Sequence, residues 1–508
     1  MGILHGILLT GATGLLGRYL LRDLLATGHP VGVLIRAGRD GTAKDRLNEL
    51  LAFGSESLGR ELPRPVLLEG DLTAPGLGLG TAERNWLARE TRAVLHSAAY
   101  VSYQPASDGE PWETNVNGTW RLLELCRSLG ITEVHHLSTA FVSGDRRGLV
   151  FEDELDCGGG SGNAYEQSKF TAEQTIHAFP GIRATIYRPS VIVGDSRSGY
   201  TSTYHHFYRF LELGVRLSAR PGSAGTKSRP RRHSLALRLP FTGEETQNFV
   251  PVDWVSQGII ELLHRPHRHG RTYHLVTERS VRLREIVAIL EDLLQIEGIY
   301  WVGPTGLPDP TSVEQLVLEQ FQDYWSCLRN ALLFDCRNTR QALPDLPPPS
   351  FDLELVSRLL RFARDDSWGR KRARPSRAPD FGCYLEHVLP EQLRQSSVAS
   401  ILPRELLFAL DIHGLGGGQW SCRWADRMLS VQRGRTADAD VTYRMEAATF
   451  DALVQGRETT QQAFFEGRID IDGDMEKGLK LAMLIEQFLA ERPQRSQARE
   501  ALHVAAGR

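Results

Sequence analysis

The sequence predicts an α/β chain: a doubly wound parallel sheet with helices on both faces, followed by a smaller α+β domain. Three observations carry this. From residue 7 to about 195, short apolar strands alternate with amphipathic helical stretches, the pattern of parallel βαβ units. The first strand runs straight into a glycine loop and a helix, Ile7-Leu8-Leu9-Thr10-Gly11-Ala12-Thr13-Gly14-Leu15-Leu16-Gly17. The last ~115 residues change pattern, which marks a separate domain.

Six strands are expected in order: Ile7–Leu9, Val31–Ile35, Val66–Glu69, Ala93–His96, Glu133–Ser138 and Ala184–Tyr187. Helical stretches between them include Tyr19–Leu25, Asn115–Leu129 and Tyr165–Phe179. Residues 196–365 are less regular and read as a substrate region. They hold a basic loop (Arg216–Arg232), a strand-like Leu235–Phe241 and the segment Asn248–Val255. The charged, proline-containing Arg370–Pro379 reads as the centre of a linker over 366–384. The C-terminal domain is expected over 385–492. There Val441, Tyr443 and Met445, and again Ile469 and Ile471, alternate with polar residues as half-buried strands do. Met475–Leu489 has a wide apolar face, suited to packing on a sheet or lining an apolar cavity.

At 508 residues, 41% hydrophobic and 24% charged, the chain is globular and long enough for several cores. A net charge of -3 gives no electrostatic footprint for nucleic acid. No apolar run approaches the ~20 residues of a membrane span, and the first strand, needed for the fold, does not read as a signal peptide. Gly6 stands where myristoylation needs Ser or Thr, and Ala506-Gly507-Arg508 is not a Ser-Lys-Leu peroxisomal address. Cys126, Cys157, Cys327, Cys336, Cys383 and Cys422 form no Cys-x-x-Cys pair, so reduced thiols and a cytoplasmic location are expected. The 16 histidines show no metal spacing, and His264, His267 and His269 are expected to be solvated. No metal is expected.

The glycine loop suits the pyrophosphate of a dinucleotide, with Gly11 at the tight turn, Gly14 where backbone approaches phosphate and Gly17 at the helix–strand contact. Arg36, just past the second strand, suits a 2′-phosphate and so NADPH, although it could instead stack on adenine. Asp71 and Leu72 stand near the adenine edge, and Ser97, Ala98 and Ala99 let a cofactor approach the backbone. Tyr165 and Lys169 share one helix face. The ammonium is expected to lower the phenol's pKa and to hold the nicotinamide ribose, while Tyr165 donates a proton to a carbonyl oxygen. Ser138 and Thr139, at the end of the fifth strand, are both candidates for a hydrogen bond to the developing oxyanion.

Together these segments, with Asn115-Val116-Asn117-Gly118-Thr119, Arg188–Gly194 and Pro251-Val252-Asp253, resemble the extended short-chain dehydrogenase/reductase superfamily over residues 5–365. The resemblance implies a Rossmann fold. It places Thr139, aligned through Val142-Ser143-Gly144, with Tyr165 and Lys169 as the catalytic set. It also implies a cofactor site of Thr10, Gly11, Thr13, Gly14, Leu15, Leu16 and Gly17 in the loop and Arg36, Asp71 and Leu72 at the adenosine end. Ser97, Ala98, Ala99, Asn115, Tyr165, Lys169, Pro189 and Val191 complete that site. Val33-Leu34-Ile35-Arg36 and His96-Ser97-Ala98-Ala99-Tyr100-Val101 look most like the thioester reductase and fatty acyl-CoA reductase branch. That branch implies NADPH, with NADH possible, and a substrate thioester on coenzyme A or an acyl carrier protein.

The C-terminal segments Gly418-Gln419-Trp420, Ala437–Thr442, Phe450–Gly456, Ala463–Gly467 and Ile469–Asp474 resemble the sterol carrier protein 2-like (SCP2) family. This implies an apolar tunnel for a lipid-like ligand. The expected function is reduction of a lipid-like acyl thioester to aldehyde or alcohol. The alternative is a dehydrogenase, epimerase or dehydratase of a hydroxylated sterol-like or polyketide substrate. A homodimer is a further expectation of the superfamily resemblance.

Overall fold

The computed structural model describes residues 6–38, 41–144, 146–156, 162–218, 233–321, 328, 332–372, 381–414, 416–434, 436, 438–454 and 458–490. Most of the basic loop (219–232) and the middle of the linker (373–380) lie outside the described residues.

β1 (Gly6–Thr10) is buried at all 5 residues, as a strand covered on both faces must be. It pairs in parallel with β2 (Val31–Ile35) on one side and β4 (Thr91–His96) on the other. With β3 (Val66–Glu69), β5 (Glu133–Leu137), β6 (Arg183–Pro189) and β7 (Thr272–Leu275), a parallel sheet forms in the order β7-β6-β5-β4-β1-β2-β3. The chain steps outward from β1 to β3 and then returns to β4 on the far side. A crevice therefore opens at the carboxyl ends of β1 and β4. The expected doubly wound sheet is present; β7 is an addition to the six strands expected.

Alternation along β1 feeds a core on each face. Ile7 and Leu9 pack with Leu20, Leu24, Val33 and Ile259, whereas Leu8 packs with Leu34, Val94, Leu122 and Ile186. The flanking helices include α1 (Leu15–Ala26), α2 (Ala43–Leu58), α3 (Gly118–Leu129) and α4 (Ala164–Ala178). The Ser138 N–H makes the last ladder bond of β5, to the Tyr187 carbonyl on β6 (2.7 Å), and a 3-10 turn begins at Ala140.

The chain forms two compact units that do not follow its linear order. One comprises Met1–Thr203, Gly243–Ile289 and Asp323–Ala363; the other comprises Tyr204–Thr242, Leu290–Gln322 and Arg364–Arg508. In the second unit, β8 (Glu405–His413), β9 (Gly418–Ala425), β10 (Met428–Arg433), β11 (Val441–Glu446) and β12 (Ile469–Gly473) form a mixed sheet in the order β10-β9-β8-β11-β12. Here β8 and β11 run parallel and the other pairs antiparallel. This sheet, with the helix α7 (Met475–Ala490), contains the alternating strands and the wide-faced helix expected at residues 441–489.

Two earlier helices belong to this second unit, α5 (Phe207–Ser218) and α6 (Ser312–Phe321). Arg209 on α5 pairs with Glu466 at 3.2 Å, and Arg216 donates to the Ile469 carbonyl at 3.1 Å while lying over the Phe464 ring. Gln461 donates to Glu319 on α6 at 2.9 Å. Segments read as part of the reductase substrate region are thus bonded to the C-terminal domain.

Candidate active site

The glycine loop has the geometry of a phosphate cradle. Gly11 adopts φ +75°, and a Cβ there would lie 2.4 Å from the Ala98 nitrogen. At Gly17 a Cβ would lie 2.0 Å from the Gly11 carbonyl oxygen, so α1 sits against the loop as closely as it can. Gly14 is different: it is exposed, and the nearest atom to a Cβ there is the Gly11 oxygen at 3.5 Å. No side chain caps α1 at this end. The N–H groups of Leu15, Leu16 and Gly17 therefore lie at an uncapped helix N-terminus, where the macrodipole favours an anion.

Beneath the cradle runs a directional chain of hydrogen bonds. Ala98 N–H donates to Thr10 Oγ1 (3.3 Å), which lies 2.8 Å from His96 Nδ1. On the other side of the ring, His96 Nε2 lies 3.0 Å from Thr119 Oγ1, whose hydroxyl donates to the Asn115 carbonyl at 2.6 Å. Since Thr119 spends its proton on Asn115, it accepts from His96 Nε2–H, and Nδ1 accepts from Thr10. His96 is accordingly neutral; burial, and after it the Lys169 charge, pushes its pKa down to about 3.

Asn115 lies in the middle of a single π-helical turn (Glu113–Asn117) that leads into α3, a distortion common at functional sites. Its Nδ2 donates to the Tyr100 carbonyl (2.9 Å) and to Ser168 Oγ (2.8 Å), and its Oδ1 accepts from Tyr100 N–H (2.8 Å). One buried side chain thus fastens the segment following Ser97-Ala98-Ala99 to the helix carrying Tyr165 and Lys169. Asn163 starts that helix by accepting from Glu166 N–H at 3.0 Å.

Lys169 is buried and donates to the Leu137 carbonyl (2.5 Å), with His136 Nε2 at 3.2 Å. Burial pushes its pKa down to about 8 against the opposing pull of Glu173. Tyr165 stands one helical turn before it, on the face that meets the turn starting at Thr139. The phenol does not follow the expected direction. Burial, with the Glu166 carboxylate, pushes it up to about 12. The ammonium is engaged at the end of β5, leaving desolvation as the dominant influence on Tyr165. Thr139 accepts from Phe141 N–H at 3.3 Å, whereas the buried Ser138 hydroxyl has no partner among the described residues.

At the adenosine end, Arg36 is exposed and 3.4 Å from Asp71, which also accepts from Thr73 N–H at 2.9 Å. Leu72 is buried in the core with Leu77. Arg46, which the sequence reading passed over, donates to the Arg36 carbonyl at 2.8 Å and brings a second guanidinium to this corner. Its place on α2, one helix after β2, was the available signal. Pro189 ends β6, and Val191 begins a short strand whose N–H donates to the Asn248 carbonyl at 3.2 Å. Asn248 is a second residue missed as an anchor: its Oδ1 accepts from Ser190 Oγ (2.7 Å) and Thr277 N–H (3.0 Å).

His269 corrects the expectation of a solvated histidine turn. It is buried, because its ring lies between the Glu133 carboxylate and the Leu262 carbonyl. Glu133, His135 and His269 bring three potential ligand atoms within 4.8 Å of one another. They lie at the start of β5, opposite the cradle, and the Arg183 guanidinium, bonded to the His269 carbonyl at 3.0 Å, opposes a further cation there.

The C-terminal domain holds a cavity of about 100 Å³ with an almost wholly apolar lining, including Leu410, Trp424, Tyr443, Met445, Leu481 and Phe488. The apolar face of α7 lines this cavity. Among the described residues no helix is long and apolar enough to cross a membrane.

Comparison with known proteins agrees with both halves. Residues 9–259 match the NAD-binding family model described as male sterility protein, and residues 400–486 match the SCP-2 sterol transfer family. The chain is 28% identical over 67% of its length to the nonribosomal peptide synthetase asaC of Aspergillus flavus, covering 34% of that protein. It is likewise 28% identical over 61% of its length to the large subunit of L-2-aminoadipate reductase of Penicillium chrysogenum, covering 22% of that protein. Among solved structures, it resembles the terminal R domain of the myxalamid PKS-NRPS pathway, with 27% identity and a TM-score of 0.57 over 72% of this chain and 92% of that one. The chain spans about a third of the length of the first curated relatives it matches (34% to 37%). A parallel sheet wound about a glycine cradle, the Tyr165/Lys169 helix and the two family matches together identify an NAD-binding domain of the male sterility type over residues 9–259, joined to a domain of the SCP-2 sterol transfer family over residues 400–486.

Proposed function

We propose that the protein is an NADPH-dependent reductase of a lipid-like acyl thioester carried on coenzyme A or a carrier protein, acting in the cytoplasm. The observation that carries this reading is the meeting of the Tyr165/Lys169 helix with the end of β5, where Lys169 reaches the Leu137 carbonyl two residues before Thr139. The likeness to a terminal R domain of a PKS-NRPS pathway supports a carrier-bound substrate.

When bound, the nicotinamide supplies hydride. The chain's residues do the rest. The open backbone at Gly14 and the uncapped N-terminus of α1 receive the pyrophosphate. Arg36 and Arg46 offer two guanidinium groups to a 2′-phosphate, which favours NADPH over NADH. Thr139 Oγ accepts from Phe141 N–H, so its own proton remains for the thioester oxygen as negative charge develops. Tyr165, with its pKa near 12, keeps its proton through neutral pH and delivers it to that oxygen. The resulting hemithioacetal collapses to aldehyde and free thiol, and a second reduction at the same site would give the alcohol. The apolar cavity over α7 binds a lipid-like ligand.

The test follows NADPH absorbance with long-chain acyl-CoA and acyl-carrier thioesters, using Tyr165→Phe as control. Turnover lost in the variant, with aldehyde or alcohol recovered, supports the reading. Silence across the panel while NADPH still binds overturns it.

A further inference from the structure

His136 sits directly behind Lys169, on the buried side of β5. Its exposure is 0%, and its Nε2 lies 3.2 Å from Lys169 Nζ. The ammonium has three donors. One goes to the Leu137 carbonyl and one to His136, so the third is left for the cofactor side. The other histidine nitrogen, Nδ1, is buried without a partner among the described residues. Such an unmatched buried group is costly. A histidine present only to fill the core has no reason to carry that cost when an apolar residue would fit.

We propose that His136 is a positioning residue for the cofactor-holding lysine: its neutral imidazole accepts one Nζ–H bond and, with the Leu137 carbonyl, aims the remaining donor of Lys169 at the nicotinamide ribose. The proposal rests on reading Lys169 as the residue that holds that ribose.

Burial holds His136 far below the ordinary histidine range, with the charge of Lys169 and the proximity of His96 adding to the effect. It therefore stays an acceptor throughout the working pH range. The groups facing Lys169 are Glu173, one turn on in α4, His136 on β5 and His96 on β4. Arg188 on β6 is engaged with Glu173. The acceptor at Nε2 favours the charged lysine, so its loss shifts the lysine pKa further down from about 8.

The imidazole geometry suggests two informative replacements. In His136→Gln the amide oxygen reaches the Nε2 position and can still accept from Nζ. In His136→Asn the shorter amide ends near the Nδ1 position and cannot. NADPH binding to the full chain is measured by fluorescence titration from pH 6 to 10, with Lys169→Met alongside. His136→Asn should weaken binding at pH 7 roughly tenfold, the loss of one hydrogen bond to a charged group, and move the alkaline decline below the wild-type midpoint near pH 8. His136→Gln should stay within about threefold of wild type with the same pH course. Asn and Gln variants that bind alike, or an unchanged pH course in His136→Asn, overturn the proposal. If Lys169→Met binds NADPH as wild type does, the reading of Lys169 fails and the proposal falls with it. If Lys169→Met weakens binding and His136→Asn does not, only the positioning role is refuted. Should His136→Asn not fold, His136→Leu, which keeps the volume and removes the acceptor, takes its place with the same expected outcome.

Discussion

Removing the Glu173 carboxylate should loosen the helix that carries Tyr165 and Lys169. Arg188 on β6 meets Glu173 on α4 through Nε at 3.0 and 3.2 Å and Nη2 at 2.6 Å, with the two side chains 1% and 0% exposed. In Glu173→Ala the guanidinium stays buried. It keeps the Glu154 carbonyl (2.8 Å) and His274 Nε2 (3.4 Å) but loses its countercharge. Breaking one side of such a pair costs about 3–5 kcal/mol. At roughly 2–4 °C per kcal/mol, the unfolding midpoint should fall by about 10 °C. Glu173→Leu combined with Arg188→Met should recover most of this, because no uncompensated charge remains. There is a functional corollary. The Glu173 charge raises the Lys169 pKa toward its ordinary value, so without it the pKa falls further below about 8 and NADPH binding declines at a lower pH. Thermal unfolding of the single and double variants is the assay. A single variant within about 1 kcal/mol of wild type, or a double variant worse than the single, would refute the reasoning.

Gly17→Ala places a Cβ 2.0 Å from the Gly11 oxygen and should cost about 1–3 kcal/mol of stability. Gly14→Ala should leave the melting temperature nearly unchanged and weaken NADPH binding, because the added methyl occupies the open phosphate face; paired melting and binding measurements check this. Tyr165→Phe should lower turnover by ~10²–10⁴-fold with the NADPH dissociation constant unchanged. Simultaneous Arg36→Ala and Arg46→Ala should weaken NADPH binding at least tenfold while barely altering NADH binding, since only the former carries the 2′-phosphate. A protease site placed within 373–380 and cut should leave the two fragments co-eluting in gel filtration, because Arg209, Arg216 and Glu319 bond the C-terminal domain to α5 and α6. Separation of the fragments would count against that attachment.

The readable parts of this chain are those in which local chemistry and periodicity agree. The loop from Gly11 to Gly17, the i,i+4 pair on α4 and the alternation at 441–445 each impose a local geometry that survives folding. Glycines are required where a Cβ would meet backbone, and apolar residues recur at the period of the element that buries them. Those constraints made the Rossmann sheet, the crevice at its strand ends and the C-terminal sheet legible without coordinates.

Contacts between residues distant in sequence were not legible. Asn115 joins Tyr100 to Ser168, and Asn248 joins Ser190 to Thr277. Each is a polar residue in an ordinary position, and only the partner it meets reveals its task. The direction of the Tyr165 shift belongs here too, since desolvation depends on everything packed around the phenol and outweighs a neighbour four residues away. The attachment of α5 and α6 to the C-terminal domain is of the same kind. Local sequence carries the information for strands, helices and the loop between them, while burial and long-range hydrogen bonding set the protonation of the site and the grouping of the chain.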